Sequence, residues 1–225
     1  MFITKSWLRA AGISAVAAAA FSLAPLSARA GTLSETVNVA STPTNWSQTL
    51  NFQGFDALAT AASLNPSQLI LSSITIALTE KLSGTAQATN TSNGSITTSF
   101  NITNTGELNA GGLGTVVDSQ SSGNVTIPAG GTSAVQDLSG SNSATNTYST
   151  NLAQFLPAWT GAGSDTAFEG VSGGGGNLQA TFTDSGALSV LVTYNYGAAP
   201  VPEPATIAVF GVALLALGLI RTKRA

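Results

Sequence analysis

Sugar-cleaving chemistry asks for two carboxylates about 5 to 10 Å apart, and the chain offers two pairs by position, Asp165 with Glu169 and Asp118 with Asp137. The alternative reading of these acids is that they lie in loops and keep a nearly lysine-free protein soluble. A serine nucleophile would need an activating base, but the chain has no histidine, and Lys81 sits at what reads as a strand end. The expectation is therefore a protein without catalysis. Calcium takes oxygen ligands, and Asp118, Asp137, Asp165, Glu169 and Asp184 all lie near Gly, Ser or Asn. No EF-hand or Gly-Asp repeat spacing accompanies them, so no metal or cofactor is assigned. Zinc and copper sites built on Cys or His are excluded, since neither residue occurs. Trp46, Trp159, Tyr194 and Tyr196 are the candidates for sugar stacking, but aromatics at alternating strand positions are expected to be core.

These residues lie between two transport segments. Met1 to Arg9 carries Lys5 and Arg9 without an acid, 10–23 is largely apolar, and Ala28-Arg29-Ala30 fits a small-x-small cleavage site before Gly31. That is the pattern of a secretory signal peptide over 1–30. At the other end, Pro202 and Pro204 flank Glu203 and keep the chain extended. Residues 205–220 then carry no charge, and Arg221, Lys223 and Arg224 close the chain. As a helix, the apolar run reaches about 24 Å, short of a hydrocarbon core of about 30 Å. The basic flank would stay on the cytoplasmic side, with Pro-Glu-Pro outside. A plain C-terminal membrane anchor would have these features.

The arrangement over 201–225 nevertheless resembles the PEP-CTERM sorting signal. In that family Pro-Glu-Pro, a short apolar helix and a basic end are recognised by a membrane enzyme called exosortase. The resemblance implies a transient exosortase partner, an inner-membrane intermediate, and final delivery to the cell surface or extracellular matrix of a Gram-negative bacterium.

With both segments set aside, residues 31–200 hold nine acids against the single cation Lys81, a formal charge of −8. Nucleic-acid binding is excluded, because neutralising phosphates takes Lys and Arg. Anionic lipid is disfavoured on the same ground. The domain must hold together by packing, having no cysteine to cross-link.

Alternation of apolar residues predicts an antiparallel β-sandwich over 31–200. Leu33, Glu35, Val37 and Val39 share one face, as do Trp46, Gln48, Leu50 and Phe52. Residues 55–64 suit a helical turn or two before Asn65-Pro66. Leu69-Ile70-Leu71 and Ile74, Ile76 and Leu78 give the strongest strand signal, with a change of phase at Ser72-Ser73. Asn93-Gly94 predicts a type I′ hairpin, 106–123 a loop-rich stretch, 125–127 a short strand, and 135–148 one weak strand. Phe155, Leu156 and Trp159 form an apolar insertion, and 168–171 is read as the start of a further strand. Asp184-Ser185-Gly186 predicts the turn of a last hairpin, whose second arm carries Leu188, Val190, Val192, Tyr194 and Tyr196.

Asn45-Trp46 with Leu50 and Phe55-Asp56, the 71–82 strand leading into Ser83-Gly84, and Leu191-Val192-Thr193-Tyr194-Asn195-Tyr196 resemble the choice-of-anchor E family. Its members share an exported β-rich domain ending in different surface anchors. The resemblance implies architecture and location and carries over no catalytic residue. The expected function is a structural or adhesive matrix protein, with exopolysaccharide as its candidate contact. The alternative is an extracellular carbohydrate-binding module or, at greater distance, a glycoside-acting enzyme.

Overall fold

The computed structural model describes residues 30–110 and 114–199. They fall into two compact units: one holds 31–66 and 71–196, and the other, among the described residues, holds Ala30, 67–70 and 197–199. In the smaller unit the Ala199 N–H donates to the Gln68 carbonyl at 2.9 Å.

Ten strands dominate: β1 (Gly31–Pro43), β2 (Trp46–Phe52), β3 (Leu69–Asn90), β4 (Ile96–Asn109), β5 (Gly114–Ser121), β6 (Val125–Ile127), β7 (Gln136–Asp137), β8 (Gly140–Tyr148), β9 (Trp159–Ser172) and β10 (Leu178–Ala198). They build two antiparallel five-stranded sheets in a sandwich-like arrangement. One sheet runs β1-β10-β3-β7, with β8 also on β3; the other runs β2-β9-β4-β5, with β6 also on β4. On β3, the stretch Ile74–Leu82 pairs with β8 and Thr85–Ala86 with β7, so two short strands share one edge.

Side chains of a strand point alternately to its two faces, and the expected inward rows hold for β1 and for the second half of β10, where Leu188, Val190, Val192 and Tyr194 are buried. Along β3 burial passes from Leu71 to Ile74, Ile76 and Leu78, the expected phase change across Ser72-Ser73. One helix, α1 (Phe55–Ala61), forms where the alanine-rich stretch suggests it, burying Phe55 and Ala59 four residues apart on one face.

Several turns read from composition are not turns. Asn93-Gly94 does not close a hairpin, because β3 and β4 belong to different sheets, and neither residue has the positive φ that a type I′ turn demands. Strand β10 runs without a break through Asp184-Ser185-Gly186. Gly84 likewise lies within β3, and Gly106 within β4; the stretch 106–123, read as loop-rich, is mostly strand. Residues 135–148 form two strands rather than one. At Gly84 and Gly106 the cause is close packing between sheets: a Cβ at Gly84 would come 2.7 Å from Ile102, and one at Gly106 3.1 Å from Leu188. Glycine here clears space for a neighbour, a use that looks the same in sequence as turn chemistry.

Candidate functional site

Apart from Asn90 and Thr98 towards one end of β3 and β4, the buried polar side chains of the strands gather at one level. There β3 presents Glu80, β4 Asn104, β5 Asp118 and β9 Asp165; Glu80 and Asn104 are 0% exposed, Asp165 1% and Asp118 5%. The register places them together, since Asn104 stands opposite Asp118 and Gly106 opposite Asp165. On one side of this level along the strands lies an apolar cluster of Leu82, Ala86, Ala88, Phe100, Ile102, Ile127, Leu138 and Ala167. On the other side lie Leu78, Leu108, Leu188 and Val190, also buried.

Each carboxylate is given room by a glycine. A Cβ at Gly106 would lie 3.2 Å from Glu80 Cγ, one at Gly140 2.7 Å from Asp118 Oδ2, and one at Gly186 would overlap the Asp165 carboxylate. Donors are few. The Asn104 amide donates to Glu80 Oε1 at 2.6 Å, and the Gln120 amide to Asp118 Oδ1 at 2.8 Å. Glu80 Oε2, Asn104 Oδ1, Asp118 Oδ2 and both Asp165 oxygens are buried without a partner. Lys81, the only cation between 31 and 200, points to the opposite face of β3 and is exposed.

Burial disfavours the charged form of an acid. It pushes Glu80 up to about 7, offset in part by the Asn104 amide and reinforced by Asp165 and Asp118. Burial likewise raises Asp165 to about 6, again with Asn104 opposing and Asp184 reinforcing.

The expectation that these paired acids lie in loops is therefore corrected: Asp118, Asp165 and Glu169 lie within strands. The candidate catalytic pairs are not brought together. Four residues along β9 separate buried Asp165 from exposed Glu169 by about 13 Å, while Asp118 faces inward and Asp137 lies exposed on β7. Nor do the calcium candidates converge: among the described residues no group of three or more Asp and Glu is arranged to hold a metal ion. Glu80 was missed as a site residue because mid-strand position gave no sign of what would stand opposite it.

Two of the four aromatic candidates, Trp159 and Tyr194, are core residues. Trp159 is 9% exposed and stacks on Phe52 with centroids 3.9 Å apart. Its indole N–H donates to the Tyr194 hydroxyl at 2.9 Å, and that hydroxyl donates to Glu35 Oε1 at 2.9 Å. Glu35 in turn accepts the Gln53 N–H at 2.9 Å, tying β1 to the entry of α1. Burial raises the Tyr194 hydroxyl well above its usual range. Trp159 and Tyr194 thus present no face to a sugar, while Trp46 and Tyr196 are half-buried. Among the described residues the large aromatic that does face solvent is Phe168, 69% exposed. A shallow groove of about 390 Å³ on the outer side of β1, β10 and β3 is bordered by Asn38, Thr79, Lys81 and Ser189.

Of the expected processing residues, Ala30 is exposed and Gly31 opens β1. Ala28, Pro202, Glu203, Pro204, Arg221, Lys223 and Arg224 lie outside the described residues, as does the apolar run 205–220. Among the described residues no helix is long and apolar enough to cross a membrane.

Comparison with protein families decides the nature of the C-terminal end. Residues 200–224 match the PEP-CTERM protein-sorting motif. The PEP-CTERM motif indicates an exported protein that is processed by an exosortase and reaches the cell surface through a membrane-anchored intermediate. No curated protein matches the chain. Among solved structures, Desmodium yellow mottle tymovirus is similar at 9% identity and a TM-score of 0.22, over 78% of this chain and 91% of that one. A structure of the infectious bursal disease virus Gx strain gives 13% identity and a TM-score of 0.15, over 80% of this chain and 47% of that one. Likenesses this slight say nothing about the fold or the function of the PEP-CTERM-bearing chain.

Proposed function

We propose that the domain between the two transport segments, 31–200, is a non-catalytic structural or adhesive component of the extracellular matrix, of the choice-of-anchor E type. The observation that carries this reading is the PEP-CTERM motif placed directly after a β-sandwich-like domain. Support comes from the site: the buried carboxylates make no paired acid and base at a cleft, and the outer strand faces carry hydroxyl ladders such as Thr75 with Thr147 at 3.2 Å and Thr89 with Thr132 at 3.0 Å. Such a face suits hydrogen bonding to a hydrated polysaccharide. In this reading the signal peptide is cut before Gly31, exosortase cleaves near Pro202-Glu203-Pro204, and the freed domain is retained by exopolysaccharide.

Intact mass spectrometry of the protein from the native host's matrix and membranes tests the sorting step. A product beginning at Gly31 and ending near Pro-Glu-Pro is expected; a matrix or membrane product still ending at Ala225 would refute it. Retention by exopolysaccharide has its own test, co-sedimentation with the host's purified polymer, and protein left wholly in the supernatant would refute that part. The rival reading is a module with a defined glycan ligand. Since Trp159 is core, its test is Phe168→Ser: loss of binding to one glycan on an array with the fold intact would favour that rival.

A further inference from the structure

We propose that Glu80 and Asp165, gathered with Asn104 and Asp118 between the two sheets, form a proton-held latch that closes the sandwich in acid and loosens it when the protons leave. The layer is short of donors. It holds the Asn104 and Gln120 amides against three carboxyl groups, and five of its oxygens are buried without a partner. A protonated carboxyl becomes a donor as well as an acceptor, so each proton taken up supplies what the neighbouring oxygens lack. Asn104 Oδ1 is the independent sign of this. It is a neutral acceptor, fully buried and unpartnered in the middle of the acids, and only an added donor satisfies it.

Deprotonation reverses the arrangement. The charges facing the layer are all negative: Glu80 from β3, Asp118 from β5, Asp165 from β9 and half-buried Asp184 from β10. β4 contributes the neutral Asn104 and β2 the neutral Trp46, which stands opposite Asp165 with its own indole N–H unpartnered. β8 offers only Gly140, and Glu35 of β1 is engaged by Tyr194 and Gln53. Among the described residues no cation answers them, because Lys81 faces outward. Gly140 and Gly186 approach Asp118 and Asp165 closely, and among the described residues no group of three or more Asp and Glu is arranged to hold a metal ion, which favours the proton as the occupant. The upward displacement of Glu80 and Asp165 by burial agrees with that assignment. An exported protein meets the external pH directly, so such a latch would couple the firmness of the domain to the acidity of its surroundings.

The test is urea unfolding of the full chain in detergent, followed by tryptophan fluorescence from about pH 4 to pH 8. For the native sequence the midpoint is expected to fall as pH rises through the range set by Glu80 and Asp165 and to level off above it. In Glu80→Gln, which keeps the side-chain volume and an oxygen for Asn104, the slope is expected to flatten in part; with Asp165→Asn added it should largely vanish. A midpoint that is flat or rises with pH in the native sequence, or a slope unchanged in Glu80→Gln, would overturn the latch. So would millimolar calcium chloride that raises the midpoint at pH 8 and cancels the slope, since the occupant would then be a metal ion.

Discussion

Gly186 separates two accounts of the same residue. Read from sequence, Asp184-Ser185-Gly186 is a turn, and glycine is there for backbone freedom. In the structure Gly186 is a buried position inside β10 without a positive φ, and a Cβ built on it overlaps the Asp165 carboxylate. Gly186→Ala should therefore cost stability through the collision. Forcing an extra methyl into a packed interior costs about 1 to 3 kcal/mol, and the upper part of that range applies because the overlap is with the carboxylate of a buried aspartate. Part of this is offset, since alanine in a strand loses less conformational entropy than glycine, by about 0.5 to 1 kcal/mol. The net expectation is a destabilisation of about 1 to 2 kcal/mol. A urea series on Gly186→Ala, Asp165→Ala and the double variant checks the cause. Removing the carboxylate removes the obstacle, so the double variant should recover most of the Gly186→Ala loss, with a coupling of about 1 kcal/mol or more. Additive effects within about 0.5 kcal/mol, or a neutral Gly186→Ala, would refute the close-approach explanation.

Gly94 is the converse: nothing lies within 4 Å of a Cβ there and its φ is not positive, so Gly94→Ala should be neutral or stabilising by up to about 1 kcal/mol; a clear loss in thermal unfolding would restore the type I′ turn. Tyr194→Phe strands the Trp159 indole N–H and takes a donor from Glu35, and a loss of about 1 to 3 kcal/mol is expected in urea. Trp159→Ala should cost about 3 to 5 kcal/mol, a large share of the roughly 5 to 15 kcal/mol of an ordinary domain, read as a lower unfolding midpoint by circular dichroism, so it cannot serve as a specific test of sugar binding. Stability should also depend on pH. Glu80 moves from 4.5 to about 7 and Asp165 from 3.8 to about 6, so between those limits the folded chain holds protons the unfolded chain has released. The folded state binds more protons, so stability is greatest below about pH 4 and falls until about pH 7. Each group accounts for about 2 to 3 kcal/mol, less than additively because the two repel, and calorimetry across that range would show a melting temperature that drops with pH.

Local pattern made much of this protein legible. Alternation identified the inward rows of β1, β3 and the second half of β10, because one buried face imposes a period of two wherever the strand lies. The alanine-rich stretch gave α1. The C-terminal motif is legible for a different reason: its proline pair, apolar run and basic end act as a linear signal, and residues 200–224 match the PEP-CTERM motif without reference to any fold.

What lies between sheets was not legible. Glu80 has the same local sequence as a solvated strand residue, and only the pairing of β4 with β5 and β9 brings Asn104, Asp118 and Asp165 to its level. Trp159 and Tyr194 likewise became a hydrogen-bonded core pair, and not a stacking face, through contact between strands of different sheets. The sequence by itself determined the strand faces, the net acidity and the sorting end, all of which depend on residue type and on neighbours along the chain. The tertiary structure alone decided which glycines clear space and which acids are buried without a counter-charge, because both depend on what the opposite sheet places within a few ångströms.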